Sequence, residues 1–169
     1  MTRPLLALAL LALAGCGFRP VYATHGTTVP AAAGLSQVDV AIIPDRFGQL
    51  TREALQARLE RGGLGVLHRY RLVTTLGLSG DPIAVQPNTV PTRVRLIGTA
   101  NWTLTSEGAT GATLAHGMAR DVDGFDIIDQ QYFAADLENE EVQRRMASAL
   151  ADQIALQLAL YFEKHPPPT

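Results

Sequence analysis

The chain of 169 residues contains a single cysteine, Cys16. One thiol cannot close an internal disulfide or build a cysteine metal cage. The fold must therefore stand on packing, which a chain of this length can supply. Charge of one sign is also missing. Fourteen Lys and Arg face sixteen Asp and Glu, for a net charge of -2. Bulk nucleic-acid binding shows a strong basic excess, so nucleic acid is not an expected partner. The apolar run Leu5 to Leu13 falls well short of the roughly 20 residues that span a bilayer.

Catalytic and metal-binding patterns are missing as well. His25, His68, His116 and His165 are scattered, with no H-x-x-x-H pair and no carboxylate at ligand spacing. Neither zinc binding nor histidine catalysis is expected of them. Ser36, Ser79, Ser106 and Ser148 lack a nucleophile-elbow context. Gly62-Gly63-Leu64-Gly65 follows a helical pattern rather than a strand, so it reads as a terminator and not a phosphate loop. Asp121-Val122-Asp123-Gly124-Phe125-Asp126 lacks the spacing and terminal Glu of a calcium loop and reads as a solvated turn. These absences argue for a protein that is not an enzyme and holds no metal or cofactor.

What the chain does have begins at its start. Arg3 gives a positive n-region, Leu5 to Leu13 an apolar h-region, and Ala14-Gly15 a small-residue approach to Cys16. This is the pattern of a removed secretion signal. Leu13-Ala14-Gly15-Cys16 resembles the lipobox of bacterial lipoproteins. The resemblance implies cleavage before Cys16, an S-diacylglyceryl group on its thiol and an N-acyl group on the new amine. Several acyl chains hold a protein firmly on a membrane where one does not. Gly17, rather than Asp, follows the cysteine, which by enterobacterial sorting rules favours the outer membrane.

Four segments follow: a signal peptide at 1–15, a lipidated flexible tether at 16–36, a single domain at 37–163 and a Pro-rich tail at 164–169. Val38 to Ile43 is β-branched and reads as a strand ending at Pro44. Residues 49–61 read as a helix stopped by Gly62-Gly63. Residues 68–79 alternate, with Tyr70, Leu72, Leu76 and Leu78 on one face. Asp81-Pro82 and Pro87 to Pro91 read as a loop. Residues 92–105 alternate again, with Val94, Leu96, Ala100, Trp102 and Leu104 sharing a face. A last strand covers about 112–120 and can extend toward Phe125. From about Ala134 to Phe162 the period becomes helical, with Val142, Met146, Leu150, Ile154, Leu158 and Tyr161 as an apolar stripe. Gln153 and Gln157 flank that stripe. The fold class is α+β: a two-layer sandwich of a four-stranded sheet with two helices on one face, in the order β-α-β-β-β-α.

The polar feature above background is a pair of arginine doublets, Arg69/Arg71 and Arg93/Arg95. Members two apart share a strand face, here the face away from the helices. Arg forks suit anionic groups such as phosphate, while a merely solvated face is the equal alternative. In a simple antiparallel hairpin the two doublets lie apart.

The ordered set resembles the LptE family of lipopolysaccharide-assembly lipoproteins, in its alphaproteobacterial form. The residues that carry this are Leu13-Ala14-Gly15-Cys16-Gly17-Phe18-Arg19-Pro20-Val21-Tyr22, Asp45-Arg46-Phe47-Gly48-Gln49 and Tyr70-Arg71-Leu72. Thr92-Arg93-Val94-Arg95-Leu96, Thr99 to Leu104 and the helix around Ala151-Asp152-Gln153-Ile154 complete it. The resemblance implies two helices on a four-stranded sheet and a non-enzymatic outer-membrane lipoprotein, lipid-anchored on the periplasmic face. Its implied partners are an LptD-type β-barrel, which it plugs and helps assemble, and lipopolysaccharide, which it helps deliver to the outer leaflet. Lipopolysaccharide contact through basic residues would fall near the middle loop and before the last helix. Here those stretches read Pro87-Asn88-Thr89-Val90 and Ala134-Ala135-Asp136, with no Lys or Arg; Arg93 is the nearest. The alternative function is an auxiliary periplasmic lipoprotein of a lipid or solute transporter, which needs a roomy apolar pocket between sheet and helices.

Overall fold

A computed structural model of the chain describes residues 30–59, 67–85, 91–108, 111–127 and 132–168. Cys16, His25, the stop at Gly62-Gly63 and the loop at Pro87 lie outside these residues. The elements are α1 (Pro30–Leu35), β1 (Val38–Val40), α2 (Asp45–Leu59), β2 (Tyr70–Val85), β3 (Pro91–Ser106), β4 (Thr113–Asp126) and α3 (Tyr132–Lys164). The four strands form one sheet in chain order, β1-β2-β3-β4. β1 runs parallel to β2 and the other pairs are antiparallel. A parallel pair needs a crossover, and α2 supplies it. The architecture is the expected α+β sandwich.

One element was not expected. The stretch read as tether contains α1, and this helix is packed. Ala31 and Leu35 are buried. Six residues are too few to be helical by propensity alone, so packing makes the helix. Gly34 is the contact point: a Cβ there would overlap the Phe162 ring of α3.

Helix α3 is the spine. Its 33 residues span about 50 Å at 1.5 Å per residue. Val142, Met146, Leu150, Ile154 and Leu158 are fully buried, as their spacing predicts. Tyr161 is only half-buried, and Phe162 takes the last stripe position. Two side chains decide this. The Phe162 ring packs on Tyr70 at 5.0 Å, while Tyr161 stacks on His165 at 4.6 Å. Ala147, Ala151, Ala155 and Ala159 widen the buried arc, which suits a helix that meets α1, α2 and β4. Arg58 fastens α2 to α3, donating from Nη2 to Asp152 Oδ2 at 2.8 Å and to Ser148 Oγ at 2.7 Å.

The hairpin of β2 and β3 runs further than the loop reading of Asp81-Pro82 allows. β3 pairs with β2 as far as Val85, and register shifts at Pro82/Ala84 and Ala84/Val85 absorb the proline. A bulge is where a sheet tolerates Pro. β4 likewise continues to Asp126, so residues 121–126 are strand and not a solvated turn. Leu78 keeps the predicted face but is 40% exposed, because the hairpin extends past the helices that cover Leu72.

Candidate functional site

The sheet face away from the helices is built row by row from the register. Val73, Thr103 and His116 make one row, and Thr75, Asn101 and Met118 the next. Gly77, Thr99 and Arg120 follow, then Ser79, Ile97 and Val122. Hydroxyls, an amide and small residues share these rows with Val73, Met118, Ile97 and Val122, so the face is mixed and, Arg120 apart, uncharged at its centre.

The four predicted arginines do not form one patch. Arg71 lies opposite Thr105, and Arg95 lies opposite Asp81. That is ten positions along β2, from 71 to 81, or about 33 Å at ~3.3 Å per residue. Nor are they free. Arg71 Nη1 sits 3.9 Å from Glu107, Arg93 Nη1 3.3 Å from Asp126 and Arg95 Nη2 3.2 Å from Asp81. The last two are cross-strand pairs directly opposite in register. Such pairs contribute roughly 0.2–1 kcal/mol. Arg69 precedes β2, and its Nη1 donates to the Pro168 carbonyl of the Pro-rich tail at 2.9 Å.

Arg120 is the cation that sequence reasoning missed. It lies on the open face between the two doublets, and its guanidinium has no ion pair or hydrogen bond among the described residues. The signal was present: alternation through 112–120 puts Arg120 on one face with Met118 and His116. His116 is exposed there, His68 is exposed before β2, and His165 is engaged by Tyr161. No group of three or more His, Cys, Asp or Glu among the described residues could hold a metal ion. Asp123, from the discarded calcium pattern, accepts instead from Arg145 Nη2 at 2.8 Å and from the Gly124 N–H.

Shifted acid–base properties mark the scaffold rather than the open face. The hydrogen bond from Arg58 holds the Asp152 carboxyl below the usual range. Hydrogen bonding from Arg46, with Arg144 nearby, does the same for Glu140. Burial pushes the Tyr161 phenol up. A peripheral cleft of about 360 Å³ is lined by Pro44, Asp45, Arg46, Phe47, Gly48, Leu76, Leu78 and Gln143. No helix among the described residues is long and apolar enough to cross a membrane.

The model of one protein family, LptE, described as lipopolysaccharide-assembly, matches residues 35–158. The chain belongs to the LptE family. The match spans β1 through most of α3, so it covers the whole sheet and the two long helices. Solved structures agree with this fold. A protein of Caulobacter crescentus CB15 described as a lipoprotein is 27% identical, with a TM-score of 0.63, covering 78% of this chain and 95% of its own. Rare lipoprotein B from Shewanella oneidensis is 15% identical, with a TM-score of 0.52, covering 76% and 96%. A minor lipoprotein from Acinetobacter baumannii is 14% identical, with a TM-score of 0.53, covering 79% and 96%. No curated protein matches the chain. LptE membership makes this a lipopolysaccharide-assembly lipoprotein of the cell envelope.

Proposed function

We propose that the protein is a non-enzymatic outer-membrane lipoprotein that seats its folded domain in the lumen of an LptD-type β-barrel. There it supports barrel assembly and helps insert lipopolysaccharide into the outer leaflet. The family match over residues 35–158 carries this reading. The open face is compatible with a polar barrel lumen through Thr75, Thr99, Thr103, Ser79 and Asn101, although Val73, Met118 and Val122 are exposed beside them. Cys16 carries the diacylglyceryl and acyl chains that hold the domain at the periplasmic face. Arg69, Arg71, Arg93 and Arg95 are the candidates for contact with the barrel or lipopolysaccharide, each already engaged through part of its guanidinium. Arg120 has no such partner to give up.

The test is affinity purification of the tagged protein from outer membranes. A large β-barrel in stoichiometric amount is expected. Absence of that barrel, with normal surface lipopolysaccharide after depletion, defeats the proposal. Palmitate labelling should disappear in Cys16→Ser; labelling that persists removes the anchor.

A further inference from the structure

A sheet has two edges, and this one treats them differently. β1 is three residues long, and Arg52 Nε of α2 donates to its Val40 carbonyl at 3.2 Å. β4 is sealed by α3. Gln153 takes both backbone groups of Arg120, accepting from its N–H at 3.2 Å and donating to its carbonyl at 3.1 Å. Gln157 Nε2 donates to the Met118 carbonyl at 3.0 Å. The Asp123 carboxylate accepts from the Gly124 N–H.

β2 has no such cover once β1 leaves it. β1 pairs only with residues 70–72, and the last bond on that side runs from Ala41 N–H to the Leu72 carbonyl. Alternation then points the N–H and C=O of Thr74, Leu76, Leu78 and Gly80 outward. None of these groups has a partner among the described residues; Thr74 is buried, so the accessible stretch runs from Leu76 to Gly80. The usual protections of an edge are charge, proline and bulges. Here they begin only at Asp81 and Pro82, and Pro82 falls on the outward-pointing positions. From Val73 to Gly80 the strand carries no charge at all. The cleft lined by Phe47, Leu76 and Leu78 opens beside this edge. Ile42, directly after the last β1 bond, is 84% exposed.

We infer that the β2 edge from Leu76 to Gly80 receives an extended segment of another protein as an added strand, with one apolar side chain seated in the cleft and one basic residue beside it. Strand addition draws affinity from main-chain hydrogen bonds and specificity from pockets for alternate side chains. The accessible stretch is five residues, about 17 Å at ~3.3 Å per residue, which suits a short segment. A second copy does not fit. Antiparallel pairing about Gly77 would set 76 against 78 of the copy, and so 82–85 of the copy against 72–69. β1 already occupies residues 70–72. The exposed Asp45 carboxylate lines the cleft and has no ion pair among the described residues, so a basic residue beside the apolar one is matched. This inference is independent of the barrel proposal and of lipopolysaccharide binding.

The experiment titrates a fluorescent peptide into the detergent-solubilised mature lipoprotein. The probe has eight residues, alternating valine and threonine, with one lysine. Amide exchange is followed residue by residue. Binding should slow exchange at Leu76, Leu78 and Gly80 at least tenfold and leave His116 and Val122 unchanged. Leu78→Pro removes one outward donor and should weaken the probe at least tenfold. Leu78→Lys keeps every backbone donor and should weaken it several-fold by charging the cleft, so the inference stays testable if the proline variant does not fold. Any of the following results overturns the inference. One is no binding up to about 1 mM peptide. Another is protection that falls on β4 or the open face, or equal affinity in the folded variants. The last is a dimer in sedimentation that Leu78→Pro abolishes, which would assign the edge to a second copy.

Discussion

The β4 and β2 edges are built from similar strands of the same sheet, yet one is partly closed and the other is left open. On β4, between Met118 and Gly124, four outward backbone groups are bonded to side chains: the Met118 carbonyl, both groups of Arg120 and the Gly124 N–H. On β2, between Thr74 and Gly80, none is bonded among the described residues. The difference is made by α3. Its 33 residues lie along β4 and offer glutamine amides as a substitute strand. α2 is half as long, ends at Leu59 and reaches β2 only near its N-terminus, at the cleft. An edge left unpaired in an envelope protein invites either aggregation or a partner. The burial of Thr74 on one side, and Pro82 and the bulges on the other, limit that invitation to the five residues from Leu76 to Gly80.

The largest effect should come from disturbing the sealed edge. A Cβ at Gly117 would lie 2.6 Å from Gln157 Oε1 and 2.7 Å from the Trp102 ring. Gly117→Val should therefore destabilise by about 2–3 kcal/mol through overpacking, read from urea unfolding. Gln157→Ala comes next. It strands the Trp102 Nε1–H, which now donates to Gln157 Oε1 at 3.0 Å, and frees the Met118 carbonyl. About 1–2 kcal/mol is expected, with faster exchange around Met118. A stability loss no greater than that of Leu156→Ala on the exposed side of α3 would show that the amide seal is incidental.

The pH response should be smaller. The folded-state pKa of Asp152 is depressed by Arg58. Its contribution is present above the unfolded value, near 3.9, and is lost as pH falls through the depressed folded value. Because Asp152 is largely exposed, screening limits the term to no more than about 1 kcal/mol. Asp152→Asn should flatten this acid limb of the stability profile; an unchanged limb would remove the pair from the account. The open edge should matter least for folding. Leu78→Lys should change stability by less than about 0.5 kcal/mol. Thr74→Val should be neutral or slightly stabilising, because the Thr74 hydroxyl is buried without a partner.

The strand and helix order was legible because alternation and helical period survive in single segments. Leu72, Leu96, Trp102 and Leu104 fall on the face their spacing predicts. α1 was not legible, since Pro30–Leu35 becomes helical only through the approach of Gly34 to Phe162. The reach of β2 past Pro82 depends on register with β3, a property of the pair rather than of either strand. The candidate site suffered most from the same limit. The arginine doublets were visible, but the acids that neutralise them are remote in sequence: Glu107, Asp126 and Asp81. Gln153 and Gln157 were recognisable as flanking the helix stripe, while their partners on β4 were not. Cys16 remains a proposal from sequence, with its lipid tested by labelling.

The contrast between the edges is tested most directly by residue-resolved amide exchange on the free protein. Arg120, an edge residue whose N–H is held by Gln153, should exchange with core-like slowness, while Leu76, Leu78 and Gly80 exchange at rates near those of an open chain. Slow exchange at Leu78 and Gly80, or fast exchange at Arg120 despite an intact fold, would contradict the account of one sealed edge and one open edge.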